Sequence, residues 1–135
     1  MQSWQPFPDT IPALQRVKAA GIRLVINSNT DRHIMEHTLR QLSPLEFDAV
    51  VVAEDVRAYK PDTQNFLHSL QACEAKPEEI LHVAFGFKYD IAPAHEVGLQ
   101  TAWINRRGEP REGDVEPDHE WRDLWGLAEY AEARA

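Results

Sequence analysis

The sequence predicts an open, doubly wound α/β sheet, and three observations predict it. Apolar runs at residues 22–27, 47–53, 80–84 and 101–104 alternate with segments whose apolar residues repeat at helical spacing. The runs are nearly continuous in hydrophobicity, as parallel strands covered on both faces must be. The stretches between them suit helical crossovers, and repeated strand–helix–strand units with right-handed crossovers give this architecture.

The elements follow in order. Asp9 can cap a first helix, with Pro12 tolerated in its opening turn, Ile11, Leu14 and Val17 on one face, and Gly21 closing it. Residues 22–27 then form a strand broken only by Arg23. Ser28-Asn29-Thr30 punctuates, residues 31–42 return to helix with Ile34, Leu39 and Leu42 inward, and Ser43-Pro44 stops it. Residues 47–53 are the next strand and 62 to about 75 the next helix, where Phe66, Leu67, Leu70 and Cys73 share the apolar rhythm. Pro77-Glu78-Glu79 leads into the strand 80–84. Residues 89–97 form a short helix interrupted by Pro93 and closed by Gly98, and 101–104 make a fourth strand. Residues 106–118, rich in Gly, Pro and charge, read as a surface loop, and 119–135 as a last helix containing Leu124, Leu127 and Tyr130.

The chain has 135 residues, 43% hydrophobic and 27% charged, the balance of an ordinary soluble domain. A chain of this length buries roughly 70% of its unfolded surface, so one core domain over residues 1–135 is expected. The net charge of −8 repels phosphate backbones, and Arg106-Arg107 is too small a patch to offset it, so nucleic acid is not an expected partner. The opening Met1-Gln2-Ser3-Trp4-Gln5-Pro6 lacks the basic and apolar regions of a leader, and no apolar run approaches the ~20 residues of a membrane span. The expectation is a cytoplasmic protein without membrane contact. Cys73 is the single cysteine, which rules out an internal disulfide and reads as a buried helix residue.

Three segments fall at strand ends: Ser28-Asn29, Lys60-Pro61-Asp62, and Asp90 shortly after residues 80–83. Ligands of such sheets bind beyond the carboxyl ends of the strands, so a hydroxyl, an ammonium and a carboxylate would gather at one rim. That set suits transfer of a group bearing negative charge. Ser28, with the amides of Asn29 and Thr30, can meet an anion at a helix start, or can simply cap the helix. Lys60 is fixed at the rim by the helix opening at Pro61-Asp62. A cation near 4 Å from developing charge is worth about 4 kcal/mol at an effective dielectric of 20, on the order of a thousandfold in rate. Asp90 can orient Lys60, ligate a metal or cap the helix that begins near it.

Leu24-Val25-Ile26-Asn27-Ser28-Asn29, Tyr59-Lys60-Pro61-Asp62, and His82-Val83-Ala84 through Asp90-Ile91-Ala92-Pro93-Ala94, followed by residues 98–106, resemble motifs II, III and IV of the haloacid dehalogenase superfamily. The similarity runs over about residues 7–104 and is closest to the 2-haloacid dehalogenase-like hydrolases. It implies a Rossmann-like sheet and a small anionic substrate, a 2-haloacid or a phosphate ester, processed through an aspartyl ester that water then hydrolyses. It also implies that Ser28 and Asn29 bind substrate and that Lys60 and Asp90 are catalytic. Lys60 would pair with the nucleophile and the substrate anion, while Asp90 holds the lysine or assists the water.

The chain departs from that pattern in two ways. The first motif, a nucleophilic aspartate ending a first strand, has no counterpart, and neither has the cap domain, so the chain resembles the carboxyl-terminal part of such an enzyme. Asp55 follows an apolar run, but Val56-Arg57-Ala58 lacks the expected hydroxyl. The missing strand belongs between residues 22–27 and 80–84. Its absence leaves two apolar edges that must pair directly or be filled, and self-association through them is expected. The second departure is Phe85, which stands where phosphatase members carry a metal-binding carboxylate; its ring offers Mg²⁺ no oxygen, so magnesium stays possible but weakened and no cofactor is firmly implied. Lys88 and Tyr89 could supply a cation and a phenol nearby.

Two rival functions remain on the sequence. His33-Ile34-Met35-Glu36-His37 matches H-x-x-E-H, a zinc peptidase signature with both histidines on one helical face. A catalytically silent anion-binding or interaction module is the other, with Trp4, Trp121 and Trp125 as either a partner surface or lids on the core.

Overall fold

A computed structural model of the chain describes residues 6–60, 62–111 and 113–134. The readings that fall on residues 1–5, Trp4 among them, and on Pro61 lie outside the described residues. The elements run α1 (Thr10–Ala19), β1 (Val25–Ser28), α2 (Arg32–Gln41), β2 (Ala49–Val52), α3 (Ala53–Val56) and α4 (Gln64–Cys73). A 3-10 turn (Pro77–Glu79), β3 (Leu81–Ala84), a π-helical turn (Phe87–Ile91) and α5 (Ala92–Val97) follow, then β4 (Gln100–Ile104), β5 (His119–Trp121) and α6 (Trp125–Arg134).

Among the described residues every strand pairing is parallel, and the strands divide into two sheets, β1-β2 and β3-β4-β5. The helices bridge the division. Val17 of α1 and Leu127 and Ala131 of α6 form one apolar cluster with Leu24 and Leu45, and Leu81 and Val83 of β3 pack against it. The alternate residue of β3, His82, meets Phe66 of α4. Phe66 in turn packs with Ala94 and Leu99. Helices therefore cover both faces, as the near-continuous apolar runs require.

The two expected apolar edges do not pair with each other. β1 and β3 are half-buried along their whole length, whereas Val51 and Val52 of β2 and residues 101–104 of β4 are buried. Lys60 spans the break, reaching Asn27 on β1 and Asp90 just past β3. The break is flanked by half-buried strands, each with a strand partner on one side only.

Element boundaries are tighter than periodicity suggests. The strand expected at 22–27 begins its ladder at Val25; at Leu24 the carbonyl accepts Asp48 N at 2.7 Å, but the N–H donates to the Asp48 side chain at 2.8 Å. The strand expected over 47–53 is confined to Ala49–Val52, and Ala53 already begins α3. Pro93 does not interrupt a helix: it sits in the first turn of α5, where its missing N–H is harmless, and the π turn precedes it. Gly98 ends α5 at φ 97°, a conformation other side chains adopt only under strain.

Two expectations need correction. The last helix starts at Trp125, not at 119; His119–Trp121 forms an edge strand on β4, with Asn105 N donating to Trp121 O at 2.7 Å. Asp9 occupies the cap position of α1, but its side chain does not cap. It instead accepts both terminal nitrogens of Arg106 at 3.0 Å and Leu124 N at 2.9 Å, pinning α1 to the carboxyl end of β4 and to the approach to α6. Trp121 packs on the core beside Tyr130 and Leu127 as a lid, whereas Trp125 is exposed, with the Arg16 guanidinium over its ring.

Candidate functional site

Lys60 is held by its backbone before its charge is considered. The chain leaves α3 through Arg57 in the left-handed region, φ 63°, and Asn65 Nδ2 donates to Ala58 O at 2.9 Å, fixing the connection. Asn29 then grips Lys60 from the end of β1: its Nδ2 donates to Lys60 O at 3.1 Å and its Oδ1 accepts from Lys60 N at 2.6 Å. This side-chain amide substitutes for a strand partner. The Lys60 ammonium, only 9% exposed as a residue, donates to Asn27 O at 3.0 Å and to Asp90 Oδ1 at 2.5 Å. Buried ammonium groups need such partners, and here both lie at the edges of the break.

Asp90 is positioned by the π turn, closed by Ile91 N donating to Gly86 O at 3.2 Å. Phe87 and Ile91 anchor that turn against Trp103, whose indole donates to Phe85 O at 2.9 Å. A π turn adds a residue to the helical circuit and commonly re-aims a functional side chain. Gly86 makes room for the carboxylate, since a Cβ there would stand 2.9 Å from Asp90 Oδ2. Gly86→Ala should therefore displace Asp90 and destabilise the chain by roughly 1–3 kcal/mol, read as a lowered urea midpoint and a shifted Asp90 carboxyl carbon signal. An unchanged Asp90 signal would contradict the close approach.

His82 Nε2 lies 3.0 Å from Asp90 Oδ1, the same oxygen that Lys60 contacts. Burial alone would raise the Asp90 pKa, but the hydrogen bond from His82 and the charge of Lys60 outweigh it and hold the carboxyl below its ordinary 3.8. A depressed folded value means that the stabilisation is fully present above pH ~4 and is lost as pH falls through the folded pKa. Acid unfolding followed by circular dichroism should show this, and Asp90→Asn should flatten the dependence below pH ~4. An equally steep acid limb in the variant would contradict the assignment.

Ser28 is the last residue of β1 and half-buried, set between Asn27 and Asn29, both of which bond Lys60. The start of α2 is already occupied: Asp31 accepts from Ile34 N at 2.8 Å and Glu54 from Arg32 N at 2.7 Å. The structure thus brings Lys60 and Asp90 into contact, with Ser28 one residue from each of the two asparagines that hold the lysine. Asn29, expected at the substrate, spends its amide on the Lys60 backbone.

The remaining candidates lie elsewhere or are engaged. Asp55 on α3 pairs with the Arg32 guanidinium of α2, and Lys88 sits over the ring of Tyr89. Phe85 is 81% exposed and contributes no oxygen, while Asp90 Oδ1 is shared by two donors; these residues do not fit a magnesium ion. His33 and His37 share α2, yet among the described residues no three His, Cys, Asp or Glu side chains gather to hold a metal, which removes the geometric support for the zinc reading. Cys73 is buried, and that burial pushes its thiol pKa up. His82 is the site residue that sequence reasoning passed over; its signal was a lone polar ring inside the apolar run 80–84.

Known proteins match the chain in sequence and in overall fold. The haloacid dehalogenase-like hydrolase family profile matches residues 1–98. The (S)-2-haloacid dehalogenase H-109 of Pseudomonas putida is 30% identical over 127 residues, 93% of this chain and 56% of that protein. The glyceraldehyde 3-phosphate phosphatase of Methanopyrus kandleri is 32% identical over 122 residues, 86% of this chain and 52% of that protein. Among solved structures, the L-2-haloacid dehalogenase RSc1362 superposes with a TM-score of 0.87 at 30% identity, over 94% of this chain and 56% of that one. The chain spans about half the length of the curated relatives it matches. With its parallel α/β sheets and its Lys60–Asp90 pair at the strand ends, the chain belongs to the haloacid dehalogenase-like hydrolases.

Proposed function

We propose that the chain carries the anion-binding side of a hydrolase for a small anionic substrate, a 2-haloacid or a phosphate ester. The reaction runs through an aspartyl ester whose nucleophile comes from outside the described residues. One observation carries this reading: the Lys60 ammonium sits between Asn27 O and Asp90 Oδ1 at the carboxyl edge of the break between the sheets. A strand entering that break in parallel would unite the two sheets and deliver its last side chain beside Lys60.

Carboxylate attack there forms one C–O bond at the halogen-bearing carbon as halide departs, or one P–O bond as an alkoxide departs. Water then cleaves the ester, releasing the hydroxy acid, or the acyl phosphate, releasing phosphate, and in both cases the carboxylate is returned. Lys60 neutralises the charge on the incoming anion, Asp90 keeps the ammonium in place, and the Ser28 hydroxyl binds the substrate's acidic group. Asn29 contributes by fixing the Lys60 backbone. Acting without that nucleophile, the chain is a silent anion-binding module, because the carboxylate beside Lys60 is Asp90 and two donors hold it.

Assays of 2-chloropropionate dehalogenation and p-nitrophenyl phosphate hydrolysis test the reading. This chain should bind inorganic phosphate and turn over neither compound. Turnover that Lys60→Ala abolishes would place the nucleophile within the chain, and failure to bind phosphate would remove the anion site. The half-buried edges of β1 and β3 should also produce concentration-dependent self-association in sedimentation velocity. A monodisperse monomer that melts cooperatively would contradict that. No helix among the described residues is long and apolar enough to cross a membrane, and the charge of −8 disfavours nucleic-acid partners.

A further inference from the structure

We infer that His82 is a positioning residue of the anion site, holding the Asp90 carboxylate in the orientation and charge balance that presents Lys60 to the mouth. This deepens the hydrolase reading and rests on it. His82 is the second residue of β3, its side chain only 12% exposed, between the apolar Leu81 and Val83. Its Nε2 and Lys60 Nζ share a single oxygen, Asp90 Oδ1, at 3.0 and 2.5 Å. The fully buried Phe66 ring meets the imidazole edge-on, with centroids 4.9 Å apart and planes at 84°, which fixes the imidazole plane toward the π turn. An ionised carboxylate only accepts, so Nε2 carries the proton and donates.

Two donors on one oxygen divide its charge. Without the imidazole, Asp90 either swings on its freed oxygen or turns its whole charge on Lys60, and in both cases the ammonium binds an arriving anion less firmly. The charged groups at His82 are Lys60 from the segment before α4 and Asp90 from the π turn. From the neighbouring elements α4 presents the apolar Phe66, and β4 presents Thr101, which stands opposite His82 in register and is itself bonded to Asp118.

Nuclear magnetic resonance on the labelled full chain tests this with His82→Gln, which keeps an N–H at similar reach, and His82→Phe, which keeps a ring and loses the donor. In His82→Phe the Lys60 ammonium and Asp90 carboxyl signals should move and phosphate affinity should fall on the order of tenfold, the size of a lost hydrogen bond to a charged group. His82→Gln should return the signals close to wild type and hold affinity within about twofold. Unmoved Lys60 and Asp90 signals in His82→Phe, or equal displacement in both variants, overturn the inference. The wild-type chain gives a readout independent of variant folding: a protected His82 Nε2–H proton is expected, and an imidazole protonated on Nδ1 overturns the inference as well. If wild type binds no phosphate while these signals behave as expected, the hydrolase reading fails and the hold of His82 on Asp90 stands.

Discussion

Lys60→Met is expected to lower turnover by about a thousandfold in the enzyme assembled with its nucleophile, and to melt this chain about 10 °C lower. The first figure follows from one cation near 4 Å from developing negative charge, worth about 4 kcal/mol at an effective dielectric of 20. The second follows from what the substitution leaves behind. Asp90, whose side chain is 14% exposed, loses one of the two donors on its Oδ1, and Asn27 O loses the ammonium. Breaking a buried pair by removing one partner costs about 3–5 kcal/mol, and because His82 still donates to Asp90 the lower end applies. For a domain of this size that corresponds to about 10 °C. A Lys60→Met chain that melts like wild type would show that the ammonium is solvated and the pair is not a structural contact.

Phe66→Ala should be the most destabilising single truncation in the α4–α5 layer. Phe66 is fully buried, packs with Ala94 and Leu99, and seats the imidazole of His82. Removing a buried phenyl ring costs about 3–5 kcal/mol, a large share of the ~5–15 kcal/mol that stabilises a domain. The urea midpoint should fall by about 2 M. Because the ring also orients His82, the Asp90 signal should move with it, whereas Phe66→Leu should retain most of the stability. A midpoint lowered by less than about 0.5 M would mean that the layer repacks and that Phe66 does not seat the site.

The sheet was legible because hydrophobic periodicity reports burial directly, and burial on both faces is what these strands share. Boundaries were less legible because a ladder begins where its partner begins: Leu24 looks like strand, yet its N–H goes to the Asp48 carboxylate. His119–Trp121 alternates over only three residues, too few to read as a strand in sequence, and is one by pairing with β4. The same limit separates the site residues. Lys60 and Asp90 stood out because each follows an apolar run, a local signal. Asp9 read as a cap because capping is local, whereas its partner Arg106 lies 97 positions away. The resemblance puts Asn29 at the substrate, and nothing local shows that its amide also grips the Lys60 backbone 31 positions on. His82 carried a weaker signal, one polar ring in an apolar strand, whose meaning depends on Asp90 being folded back over it by the π turn.

An isotope-labelled titration of the chain with inorganic phosphate tests most directly whether Ser28, Lys60 and Asp90 form one mouth for an anion. Amide shifts should be confined to residues 28–30, to Lys60 and to residues 85–90, should share one dissociation constant, and should vanish in Lys60→Met. Shifts scattered over other surfaces, or none at these three segments, would contradict the account.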